Sequence, residues 1–92
     1  MDIKSAEKLS ILMMQINAKM HESAVFVKDN DTEGIFSEYN QIAGEVMGVV
    51  CLEIEEKLWE KYPELRPTQM DGPYEVDQNI YEPRFYDKNK DT

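Results

Sequence analysis

Wound into a helix, residues 3–28 carry apolar side chains on two opposite sides, and this limits the possible folds more than any other feature. At roughly 100° per residue, Leu9, Leu12, Met13, Ile16, Met20, Ala24 and Val27 form one stripe. Ile11, Met14, Ala18 and Val25 form a second, almost directly across the helix. Lys4, Lys8, Gln15, Lys19 and Glu22 fill one of the gaps between them. A helix with one apolar side is satisfied by one neighbour; this one needs two.

The first neighbour is a second helix. No proline precedes Pro63, and residues 32–62 carry a broad apolar face: Ile35, Phe36, Tyr39, Ile42, Ala43, Val46, Met47, Val50, Ile54 and Leu58. Helices over about 3–28 and 32–62, joined by a few residues, give an all-α antiparallel hairpin spanning residues 1–62. Gly44 and Gly48 lie four apart on another edge, where small residues permit close helix approach. After Tyr62, the prolines Pro63, Pro67, Pro73 and Pro83 predict an irregular tail over residues 63–86, followed by a disordered terminus at 87–92. A hairpin encloses no interior, so the tail or a second copy must cover the second stripe. The expected assembly is a homodimer forming a four-helix bundle with the tails packed on it. Ile11, Met14, Ala18 and Val25 of the helix, and Tyr74, Tyr81 and Phe85 of the tail, are the candidate packing residues.

Charge narrows the function. The formal net charge is −9, and residues 31–61 hold eight acids against two lysines. No basic patch is available to neutralise phosphates, which argues against direct nucleic-acid binding. The longest apolar run, Val46 to Leu52, is far short of the ~20 residues a membrane-spanning helix needs, and the N-terminal run is too short for a signal-peptide core. A cytoplasmic protein is expected. The single Cys51 lies in an apolar run with no histidine or arginine near it in sequence to stabilise a thiolate, so it reads as a small buried hydrophobe.

Three patterns touch on metal or catalytic chemistry. Asp29, Asp31, Glu33 and Gly34 match the opening of a calcium-binding loop, but position 12 is Asn40, which cannot supply two anionic contacts. The same residues serve as a turn, with Asn30 or Asp31 capping the second helix and Glu33 favouring its positive end. His21 has Asn17 and Val25 at helical spacing, so no metal pair forms. Glu53-x-x-Glu56 followed by Glu60 resembles the metal-binding helix of all-α nucleotide pyrophosphohydrolases of the MazG type. Those proteins complete the set with a Glu-x-x-Asp on another helix. Here Glu64, Glu75 and Glu82 lack an acid three residues on, so the resemblance stops at its first half.

The remaining feature is an acidic stripe: Glu38, Glu45, Glu56 and Glu60 share one side of the second helix, with Glu53 at its edge. Such a surface steers a basic partner protein or imitates nucleic-acid phosphates. The sequence therefore predicts a non-enzymatic, cofactor-free interaction module, of inhibitor, immunity or chaperone type. It binds itself and a basic protein. The alternatives are a DNA-mimic inhibitor and a divalent-metal-dependent hydrolase using Glu53, Glu56 and Glu60.

Overall fold

The computed structural model describes residues 1–87. It is mostly helical, with no strand among the described residues and two long helices in contact. Of the terminus expected to be disordered, residues 88–92 lie outside the described residues.

Helix α1 spans Ile3–Asn30 and starts where Asp2 accepts a 2.7 Å hydrogen bond from the Ser5 amide. Helix α2 spans Glu33–Val49. Its cap is Thr32, whose hydroxyl accepts from the Ile35 amide at 3.3 Å, and not Asn30 or Asp31 as expected. Asp31 turns its carboxylate onto the Thr32 amide, and Asn30 donates back to the Phe26 carbonyl.

The second rod continues past α2 through a π-helical segment, Val50–Glu55, into helix α3, Glu56–Lys61. The Glu56 amide reaches back five residues to the Cys51 carbonyl. One π turn holds one residue more than an α turn, so the inward positions step from Ala43, Met47 and Val50 to Glu55, then Leu58 and Trp59. This corrects the expectation of one uninterrupted apolar face. Ile54, assigned to that face, is partly exposed, and the carboxylate of Glu55 is buried in its place.

The main core lies at the end where α1 starts and α3 stops. Ala6 and Met14 of α1 meet Leu58 and Trp59 of α3 and Leu65 just beyond it. Ile11, Tyr74, Val76, Ile80 and Tyr81 pack against this cluster, so the tail covers part of the second stripe. After Leu65 the chain makes a tight loop in which Thr68 and Tyr74 exchange backbone bonds with Tyr74 and Arg66. Gly72 is needed there, because a Cβ would collide with the Arg66 carbonyl. The chain then runs along α1 in the same direction. Tyr74 donates its hydroxyl to Glu7 at 2.6 Å, Gln15 donates to the Ile80 carbonyl at 2.8 Å, and Lys19 to the Pro83 carbonyl at 2.7 Å. The Tyr86 amide donates to Glu22 at 3.0 Å, and Phe26 stacks edge-on against Phe85 and Tyr86 at 5.4 and 5.3 Å. Gln15, Lys19 and Glu22 of the polar gap on α1 therefore anchor the tail, and Glu22 is buried. Glu7 holds the Tyr74 hydroxyl proton tightly, pushing its pKa up to about 12.

The expected close approach at Gly44 and Gly48 is not found. A Cβ at either would meet nothing within 4 Å. No helix among the described residues is long and apolar enough to cross a membrane.

Candidate functional site: an apolar face and a groove

Two surfaces of the hairpin stand out, one apolar and open, the other a groove over a buried charge. The first follows from helical phase. Leu12, Ile16 and Met20 share a stripe of α1 with Ser23, while Ile35, Ile42, Val46 and Val49 share a stripe of α2 with Tyr39. The Tyr39 hydroxyl donates to Ser23 Oγ at 2.8 Å, so the two stripes adjoin on one side of the hairpin. That side is uncovered: Leu12 is 47% exposed and Ile42 61%, and Ile16, Ile35, Val46 and Val49 are also exposed. Scattered exposed apolar residues are ordinary, but a continuous two-helix face is not. The stripe expected to fill the hairpin thus divides. Met13 and Ala24 are buried, and Leu12 and Ile16 face outward.

The borders of this face differ in charge. Along α1 run Lys8 and Lys19; along α2 run Glu38 and Glu45, with Glu53 following in the π-helical segment, all exposed. Glu53 pairs with Lys57 at 3.1 Å on the surface. Glu56, assigned to the same acidic stripe, instead takes Arg66 in a two-pronged contact at 3.1 and 3.3 Å, which raises the guanidinium pKa. Glu60 is exposed. Among the described residues no three His, Cys, Asp or Glu side chains are placed to hold a metal, so Glu53, Glu56 and Glu60 do not converge. Asp29, Asp31 and Glu33 do not converge either, and Asp29 accepts the Tyr86 hydroxyl at 2.7 Å.

On the other side, α1, the π-helical segment and the tail enclose a groove of about 530 Å³. Met14, Asn17, Ala18 and His21 of α1 face Met47, Cys51, Glu55 and Trp59 across it, with Met70, Tyr81 and Arg84 from the tail. Glu55 is only 4% exposed. Burial raises its pKa, the neighbouring Glu56 adds to the rise, and a 3.1 Å hydrogen bond from Asn17 opposes it. Burial and then Glu55 raise the Tyr81 pKa. The Cys51 thiol is raised by burial and by Glu55 and Glu56, the opposite of what an activated nucleophile requires. Of the candidate packing residues, Met14 is buried, Ile11, Ala18, Val25, Tyr74 and Tyr81 are partly buried, and Phe85 is 58% exposed.

Sequence reasoning missed Asn17, Glu55 and Tyr81 as partners in one groove. The one available signal was the broken periodicity, since Glu55, Trp59 and Tyr62 share a helical face that does not continue the Ala43–Met47–Val50 face. No protein-family model matches the chain, and comparison with curated proteins and with solved structures finds no significant match to either.

Proposed function

We propose that the protein is a homodimeric, non-enzymatic interaction module whose two hairpins pack face to face as a four-helix bundle. The observation that carries this reading is the uncovered apolar face formed jointly by Leu12 and Ile16 of α1 and Ile35, Ile42, Val46 and Val49 of α2. The tail covers part of the second stripe of α1 and leaves this face to a partner. Charge favours a second copy. A two-fold axis parallel to the helices lays α1 of one copy over α2 of the other, antiparallel, so each lysine border meets a glutamate border. A two-fold axis across the helices would place like borders together, which is unfavourable. Ile42→Asp puts a charge at the middle of the face and disperses the dimer in light scattering while leaving the helical circular dichroism intact. Retention of the dimer in Ile42→Asp and Leu12→Asp would remove this face from the assembly.

A further inference from the structure

We propose that the groove over Glu55 is a receptor for an alkylammonium group, the side chain of a lysine on a partner protein. The groove lies across the hairpin from the dimer face, so the inference rests on the interaction-module reading but not on the dimer.

The polar groups in the groove define the ligand. The only hydrogen bond to the Glu55 carboxylate among the described residues comes from Asn17 Nδ2. The other end of that amide, Asn17 Oδ1, is buried with no partner. The carboxylate has one donor from the protein and the buried carbonyl has none, and a buried acceptor without a donor is costly. A ligand suited to these groups donates hydrogen bonds, and a positive charge compensates a carboxylate better than a neutral donor does. A bare metal ion fits poorly, because among the described residues no three His, Cys, Asp or Glu side chains are placed to hold one. An ammonium needs only acceptors, and Glu55 supplies a carboxylate on the groove wall. The walls suit its stem: Met14, Met47 and Met70 are flexible thioethers that mould around an aliphatic chain. The −9 net charge draws a basic segment toward the surface before the lysine enters. Arg84, the cation on the wall, is engaged by Glu82 at 3.5 Å.

The test is a titration of the ¹⁵N-labelled full chain with Nα-acetyl-lysine N-methylamide, followed at the Trp59 indole and Asn17 side-chain amide resonances. The expected result is saturable shifts at millimolar probe, absent with the uncharged norleucine analogue. Glu55→Gln should weaken binding at least about tenfold, since it removes the charge and keeps the shape. In the wild-type protein, affinity should fall on acidification, because ammonium binding needs the ionised carboxylate. Besides Glu56, the titratable or charged groups around it are His21, Cys51, Tyr81 and Arg84, so the midpoint is assigned by its loss in Glu55→Gln. Equal binding of the norleucine analogue, or undiminished binding by Glu55→Gln, would overturn the proposal. Butylammonium binding as tightly as the lysine amide would replace the partner's lysine with a free amine as the occupant. Failure here with an intact dimer would leave the self-association reading standing.

Discussion

Trp59 Nε1 donates a 2.9 Å hydrogen bond to Ser10 Oγ across 49 residues of chain, and the two residues are 3% and 2% exposed. The contact ties α3 to α1 where the tail begins to pack. Ser10→Ala leaves a buried indole N–H with no acceptor, a loss of about 1–3 kcal/mol. Urea unfolding followed by Trp fluorescence measures it. Trp59→Phe costs more than this, because it removes packing as well as the bond.

The buried carboxylate makes stability pH-dependent. Glu55 binds its proton more tightly folded than unfolded, so its effect on stability is absent below the ordinary carboxylate pKa of 4.5. As pH rises from there through the raised folded pKa, stability falls, and above it the loss is constant. Glu55→Gln removes this term. The variant should therefore melt higher than wild type at pH 7, with the difference shrinking as pH falls through the raised folded pKa and gone below 4.5. A variant less stable than wild type at neutral pH would show that the carboxylate is held by more than Asn17.

The π-helical segment predicts an unusual tolerance to deletion. Removing Leu52, which is 65% exposed, converts the wide turn to an α turn and keeps Val50 and Glu55 on the same face. This variant should unfold cooperatively near the wild-type temperature. Deleting Glu45 instead rotates everything after it by about 100° and should abolish the transition. Circular dichroism melts of the two distinguish them.

Gly44 and Gly48 have open space where a side chain would begin. Gly44→Ala and Gly48→Ala should each stabilise by about 0.5–1 kcal/mol, measured by urea unfolding, because alanine is the better helix former. Destabilisation at either would place another chain against that edge.

The hairpin was legible because its signals are local: absence of proline to residue 62, two helical runs of apolar residues, and a polar turn between them. The need of α1 for two neighbours was legible for the same reason. The rest depended on contacts distant in sequence. Gln15, Lys19 and Glu22 read only as a polar gap between the apolar stripes, yet each holds a tail residue more than sixty positions away. Glu55 counted only as one of the eight acids of residues 31–61, because a strict 3.6-residue period cannot anticipate a π turn. The same assumption kept Ile54 on the apolar face.

Sedimentation equilibrium of the wild-type chain at micromolar concentration tests the central claim most directly. Pairing through the Leu12–Ile16 and Ile35–Val49 stripes predicts a particle of twice the 10.8 kDa chain mass. A single species of 10.8 kDa would contradict it.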